Sequence, residues 1–433
     1  MKKIKLLLMV VVLIVSLAGC GSSEKTKDNN SESNNQVKTE KQDEVVTINY
    51  YGKPDTDFEK KVIEDFEKEY SNIKVNYVEL AGGSNEKLTT IQTVLQSKDS
   101  TIDVFAADVT WPSIFIAAGW VAPLDDLLKE DIDKGLLDEY ISSALGAFQN
   151  NNLTYGLPYI SNAGTLYYRK DLLDKYEKVV PTTWKEVVET AKYILEQEKN
   201  PNLVGYGSAW KQSEGLTCTV MEHFWDQDVY IYKNGKVDLD KEKIQTALQG
   251  MYDMIYTDGV ALEATPTFGN SDVREIMQTG NLIFSRDWIS QAGKFMNPEI
   301  NTVAEHVGIA PVPGGSSLGV WGLMISEYSE HKEEAALFLK YRASKMVQIE
   351  QASAIHQLPA AVEAFHDSSV IEVFPAAKEL LQVMNNGEPR PLTPFYGEVS
   401  SIIQVETHSM LTKGITPEEA AANIVQRVSQ VID

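Results

Sequence analysis

Tyr155-Gly156-Leu157-Pro158-Tyr159-Ile160-Ser161-Asn162-Ala163-Gly164-Thr165-Leu166-Tyr167-Tyr168-Arg169-Lys170-Asp171 stands between two series of alternating elements. Its first half cannot be helical. Gly156 and Pro158 interrupt the backbone, and Pro158 pushes Leu157 toward extended geometry. Its second half, Thr165–Tyr168, is a β-branched and aromatic run that fits a pleated, half-buried surface. Before this stretch the chain reads as strands alternating with helices; after it come long helices and then extended segments that look like returns. An extended crossover between two α/β series predicts two domains with a cleft where they meet.

On the N-terminal side, Val45–Tyr51 reads as a strand. Phe58, Val62, Phe66 and Tyr70 recur every four residues, the spacing of an amphipathic helix. Ile73–Leu80 alternates again, Ala81-Gly82-Gly83 turns the chain into a helix carrying Leu88, Ile91 and Leu95, and Ile102–Ala107 is a short apolar strand that ends at Asp108. This βαβα order implies parallel pairing with right-handed crossovers. In such sheets ligands sit beyond the carboxyl ends of the strands, where Tyr51, Asp55, the Gly82-Gly83 loop and Asp108–Trp111 would lie.

On the C-terminal side, Thr183 and Glu186 form a capping box that opens a helix whose buried face is Val187, Val188, Ala191, Ile194 and Leu195. Gly205–Trp210 reads as irregular and aromatic. Asp240–Tyr256 is a helix with Ile244, Leu248, Met251 and Ile255 in line. Leu282–Trp288, Gly308–Pro313 and Gly319–Ser326 read as strands. The last helix begins at Thr416-Pro417-Glu418-Glu419, again a capping box with proline at the first helical position.

Residues 1–19 read as a signal peptide rather than fold. Lys2, Lys3 and Lys5 precede an apolar run from Leu6 to Ala18 that is well short of the roughly 18 or more residues of a spanning helix. It ends in Leu17-Ala18-Gly19-Cys20, a lipobox in which Cys20 is diacylated and becomes the new N-terminus. Residues 20–44 are rich in Ser, Asn, Lys, Glu and Gln and read as a disordered tether. A lipobox followed by a long tether fits the outer face of a Gram-positive cell membrane.

The body beyond the tether is about 390 residues, too long for one core of ordinary size. The net charge of −23 argues against a nucleic-acid partner, which needs a basic surface, and against wide contact with anionic lipid. With Cys20 committed to lipid, Cys218 has no intramolecular partner and reads as buried and inert. No metal motif, Gly-x-Ser-x-Gly elbow, phosphate loop or dinucleotide fingerprint is present, and the residues call for no cofactor. The tryptophans say more. Trp111, Trp210, Trp225, Trp288 and Trp321 fall in or beside loops and strand ends, close in sequence to Asp, Asn and Arg. Apolar faces of a pyranose stack on such rings, while planar polar side chains fork onto adjacent hydroxyls.

Here a resemblance becomes specific. Asp103-Val104-Phe105 through Asp108-Val109-Thr110-Trp111, Ala118-Gly119-Trp120, Pro123-Leu124-Asp125, Tyr155–Pro158, Ala163–Leu173 and Pro181–Trp184 resemble the extracellular solute-binding proteins that feed ABC sugar importers. Glu214-Gly215-Leu216, Phe284–Trp288, Leu318–Trp321 and Pro389–Pro394 continue the likeness, which covers essentially the whole body and is greatest for the trehalose/maltose-binding type. The resemblance implies two discontinuous α/β lobes joined by a hinge, periplasmic-binding-protein-like and of type II, with the ligand cleft between them. Lobe 1 would be 45–157 and 312–357, and lobe 2 would be 158–311 and 358–433. It implies a non-enzymatic monomer that captures an α-linked disaccharide or oligosaccharide by hinge closure and delivers it to permease subunits. Asp108 would bind hydroxyls, Trp288 and Trp321 would stack, and Arg390 would clamp. Asn162 stands where the family often carries Asp, and Ile160 where it often carries an aromatic residue; Asp55 and Trp210 are further candidates.

Other ligands fit the same scaffold. Tyr50-Tyr51 and Tyr167-Tyr168 are adjacent tyrosines of the kind ferric-ion binding proteins use, although a strand points neighbours to opposite faces. Cleft acids could admit a polyamine. A cell-surface glycosidase with a carboxylate pair is the remaining alternative.

Overall fold

A computed structural model describes residues 45–233 and 236–432. The signal peptide, Cys20 and the tether lie outside the described residues. Nine strands carry the architecture: β1 (Val46–Gly52), β2 (Ile73–Glu79), β3 (Val104–Asp108), β4 (Gly156–Ile160), β5 (Gly164–Arg169), β6 (Val204–Gly207), β7 (Leu282–Trp288), β8 (Val307–Pro311) and β9 (Trp321–Ile325). They form two sheets, in the orders β2-β1-β3-β9-β4 and β8-β5-β7-β6. β1 pairs parallel with β2 and β3, as the βαβα reading requires, whereas β9 runs antiparallel between β3 and β4. In the second sheet β5 is antiparallel to both β8 and β7, and β7 is parallel to β6.

Burial follows position in the sheet. Along β1, Ile48 and Tyr50 point into the core while Thr47 is exposed. The first four residues of β3 are all buried, as expected of a strand covered on both faces. The stretch Gly205–Trp210, read from sequence as irregular, begins inside a strand, Val204–Gly207. Its two glycines weaken the propensity signal, and pairing with β7 supplies the order.

The helices between and beside these strands include α1 (Thr56–Glu69), α2 (Ser84–Gln96), α3 (Pro112–Ala117), α4 (Trp184–Glu198) and α5 (Glu214–Trp225). Thr183 and Glu186 make the predicted reciprocal cap on α4. Two more, α6 (Tyr396–Leu411) and α7 (Pro417–Ile432), end the described chain.

The chain first passes between sheets at Ser161–Ala163. Pro158, Leu157 and Ile160 all pair with β9, so the strand runs beyond the boundary drawn at 157/158 and the crossing falls after Ile160. Two buried glutamines pin this region. Gln348 Nε2 donates to the carbonyls of Pro158 and Ala343, and its Oε1 accepts from Ala360 and Ala361 N–H. Gln351 Nε2 donates to the Tyr159 carbonyl. These amides satisfy backbone groups where regular pairing stops. Each lobe also holds a sealed ion pair, Arg342–Glu59 in the first and Arg286–Glu222 in the second.

Helix α5 is enclosed on all sides beyond its first turn, and every residue from Leu216 to Trp225 is buried. That burial carries His223 with it. Its ring stacks on Trp184 with centroids 4.0 Å apart, and burial lowers its pKa from 6.5 to about 3. Below pH 6.5 the unfolded chain binds a proton that the native site refuses. Stability is therefore lost as pH falls from 6.5 toward 3, at up to about 1.4 kcal/mol per unit. His223→Phe keeps the ring stack and is expected to remove this slope. Urea unfolding at pH 7 and pH 5 checks it: relative to wild type, the variant should gain about 2 kcal/mol at the lower pH. Parallel pH dependence of the two proteins would refute the assignment.

Candidate functional site

Strand ends converge between the lobes. Asp108 closes β3 and pairs in register with Trp321, the first residue of β9, and Trp321 also pairs with Ile160 at the end of β4. Across the crossing, Trp288 closes β7 opposite Gly164. The two crossing segments are themselves tied, with Gly319 N–H donating to the Asn162 carbonyl at 2.7 Å. Together they border a cleft of about 1230 Å³.

The first lobe supplies an acceptor and an aromatic corner. Asp108 Oδ1 accepts from Thr110 N–H and Oγ1, while Oδ2 has no hydrogen-bond partner among the described residues. Burial pushes the Asp108 carboxyl above its ordinary range, and Arg390 pulls the other way. Trp111 meets Trp321 edge to face at 5.2 Å, and Lys53 Nζ lies 5.0 Å from the Trp321 ring. Such edge-to-face and cationic contacts fix the plane of an indole.

The second lobe supplies the other ring. Arg286 lies 4.7 Å from the Trp288 ring and is itself held by Glu222 Oε1 and Oε2. Gly164 makes this possible, since a Cβ there would come within 2.1 Å of Glu222 and 2.4 Å of Arg286. Gly319 is required for a like reason: its Cβ would stand 2.8 Å from Trp288 and 3.3 Å from Asn162. Asn162 Oδ1 accepts from Ala163 and Ser290 N–H, which leaves the amide NH2 as the end available to a ligand.

Arg390 joins the two lobes. Its Nη1 donates to Glu214 Oε1 at 2.5 Å and its Nη2 to the Leu318 carbonyl at 3.1 Å, with Asp108 Oδ1 3.6 Å away. Glu214 Oε1 also accepts from Tyr396 OH, and its Oε2 from Ser400 Oγ. The guanidinium is 4% exposed and its Nε–H has no partner among the described residues. Buried donors left in that state are rare in folded proteins.

Asp108, Asn162, Trp288, Trp321 and Arg390 all line this one cleft. Asp55 and Trp210 do not. Asp55 sits at the start of α1 and accepts from Gln357 Nε2. Trp210 is fully buried in the second lobe's core beside Tyr206. Sequence reasoning passed over Glu214 and Tyr396 as site residues, although Glu214 stands in one of the stretches that carried the resemblance. Cys218 lines the cleft wall with its thiol pushed up to about 12 by burial, in keeping with an inert side chain. Tyr50 and Tyr167 are sealed in different sheets with hydroxyls raised well above their ordinary value by burial, which makes them poor phenolate donors for iron.

Known proteins align with this arrangement. A probable ABC transporter-binding protein of Deinococcus radiodurans is 29% identical over 375 residues, covering 82% of this chain and 86% of its own. The arabinooligosaccharide-binding protein of Halalkalibacterium halodurans is 24% identical over 57% of this chain and 55% of its own. Maltose-bound MalE3 of T. maritima superposes with a TM-score of 0.74 at 31% identity, covering 89% of this chain and 99% of that one. The passages of the chain between the sheets and the sheet orders agree with the two-lobed type II binding-protein fold. The family model for bacterial extracellular solute-binding proteins matches residues 52–349, and the chain belongs to that family of binding proteins.

Proposed function

We propose that this chain is the carbohydrate receptor of an ABC importer, anchored by a lipid on Cys20 and tethered through residues 20–44. Lobe 1 then comprises 45–160 and 312–357, and lobe 2 comprises 161–311 and the chain from 358 onward. The observation that carries the reading is the pairing of Trp288 and Trp321, one from each sheet, around Asp108, Asn162 and Arg390. Rings supply apolar faces, Asp108 Oδ2 accepts, and the Asn162 amide and Arg390 donate, which is the complement of a neutral polyhydroxylated ring. The maltose in the T. maritima relative supports an α-linked glucoside. Hinge closure would bury the sugar against both lobes and present the closed form to a permease.

The charge pattern supports a neutral ligand over a phosphorylated or uronic one, because Arg390 already faces two carboxylates, Asp108 and Glu214. A thermal-shift screen of neutral and anionic disaccharides tests the reading. At one hundred times Kd, a ligand specific for the native state adds about 2.7 kcal/mol, enough for a shift of several degrees. The expected result is a shift with a neutral α-linked glucoside that Trp288→Ala removes. No shift with any sugar would reject the carbohydrate reading.

A further inference from the structure

We propose that Lys53 is a further specificity-determining residue of the cleft: its ammonium donates to one hydroxyl of the sugar unit stacked on Trp321, and so selects for an oxygen at that position. The proposal rests on the carbohydrate reading above. β1 ends at Gly52, and Lys53 is the next residue. In the first sheet β1 lies beside β3, which ends at Asp108, and Asp108 pairs with Trp321 at the start of β9. Lys53, Asp108 and Trp321 thus stand at one end of the sheet, beyond the carboxyl ends of its parallel strands, where such sheets bind ligands. The backbone there is fixed. The Lys53 carbonyl accepts from Tyr77 OH and from Asp55 N–H, and Pro54 restricts the residue between.

The ammonium itself has nothing to donate to. Among the described residues no hydrogen bond or ion pair reaches Nζ, which lies 5.0 Å from the centre of the Trp321 ring. Lys87, a second lysine near this end of the sheet, is partnered: its Nζ donates to the Gly82 carbonyl at 2.6 Å. Burial lowers the Lys53 pKa, although Asp55 and Asp108 pull the other way from beyond contact. A partly buried ammonium with three N–H donors and no acceptor is costly. A pyranose stacked on the indole lies about 4 Å above it. Its rim of hydroxyls then comes level with an ammonium held over the same ring, and supplies the acceptor.

The two charged groups beside Trp321 make opposite demands. Lys53 only donates, so the group it meets must accept; ionised Asp108 only accepts, so the group it meets must donate. A hydroxyl satisfies either. At the Lys53 position an ammonium meets like charge, and a bare hydrogen leaves the donor unpaired. Trp321 therefore takes a hydroxylated unit and rejects an aminodeoxy one at that carbon.

Calorimetry of the full-length chain with maltose, trehalose and their monodeoxy analogues tests the proposal, on wild type and on Lys53→Met. Methionine keeps an apolar stem against the ring and removes the ammonium. Losing a charge that burial disfavours should leave the urea midpoint unchanged or higher. Wild type is expected to lose about tenfold in affinity when one particular hydroxyl is removed, because a charged donor is left unpaired. Lys53→Met should bind the parent sugar about tenfold more weakly and lose nothing further with that analogue. The matching aminodeoxy sugar should bind Lys53→Met at least as well as wild type. Weakening by one common factor for every analogue would mean that Lys53 only holds the indole in place, which overturns the proposal while the carbohydrate reading stands. Parent affinity within twofold of wild type also overturns it. Failure of both disaccharides to bind wild type rejects this assignment together with the α-linked glucoside reading.

Discussion

Arg390→Ala is expected to weaken sugar binding by about thirtyfold or more and to destabilise the fold at the same time. The first effect follows from position: a well-packed arginine donating at the centre of a desolvated site is the usual form of a binding hot spot, worth about 2 kcal/mol or more. The second follows from what the truncation strands. Glu214 loses its 2.5 Å partner and Asp108, already disfavoured as an anion by burial, loses the cation that offsets it. Removing one partner of a buried pair costs about 3–5 kcal/mol. Because the Glu214 side chain is 42% exposed, water recovers part of this, and about 2 kcal/mol is the expected loss. Arg390→Lys should restore little, since an ammonium cannot reach Glu214 and the Leu318 carbonyl with one planar fork. Calorimetry and urea unfolding measure the two effects separately. Binding within threefold of wild type would remove Arg390 from the site.

Glu222 is sealed behind the cleft, and Glu222→Ala should cost more stability than any single change among the residues that line it. Glu222 and Arg286 are sealed at 0% and 1% exposure, and Ser317 N–H also donates to the carboxylate at 3.1 Å. With the carboxylate gone, the guanidinium remains uncompensated in a low-dielectric interior, a loss of about 3–5 kcal/mol. Replacing both partners, as Glu222→Leu with Arg286→Met, should recover most of it, because apolar pairs of similar volume do as well as buried ions. The double variant also separates stability from binding. It folds, but Trp288 loses the guanidinium 4.7 Å from its ring, so sugar affinity should still fall about tenfold. Urea midpoints and calorimetry on the three proteins decide this. A double variant no more stable than the single one would mean that packing, not charge, dominates the site.

Much of the architecture is legible in local sequence because local forces set it. The alternation in β1 and β2, the apolar run of β3 and the Thr183–Glu186 and Thr416–Glu419 caps each depend on neighbours within a few residues. Asp108, Trp288 and Trp321 stand at strand ends, where α/β sheets bind ligands, and the cleft collects them. The rest depends on distant partners. Trp210 follows one strand and Trp288 ends another, yet one is core and the other lines the cleft, and only the packing of Trp210 into the second lobe's core beside Tyr206 separates them. Glu214 is one acid among many in a chain of net charge −23. What marks it is convergence with Arg390, Tyr396 and Ser400, all more than 170 residues away by the separations of 176, 182 and 186. The end of β4 at Ile160 was hidden because its partner β9 lies beyond the whole of the second sheet.

That placement of β9 governs the order in which the protein can be made. β3 and β4 leave the ribosome early, but the strand that belongs between them, Trp321–Ile325, is translated only after both. At 5–20 residues per second the vacancy between these edges lasts roughly 10–30 s. Throughout that interval the leading half of the nascent chain has no complete sheet to settle into. The wiring of a single strand thus sets how long the first sheet must wait for completion.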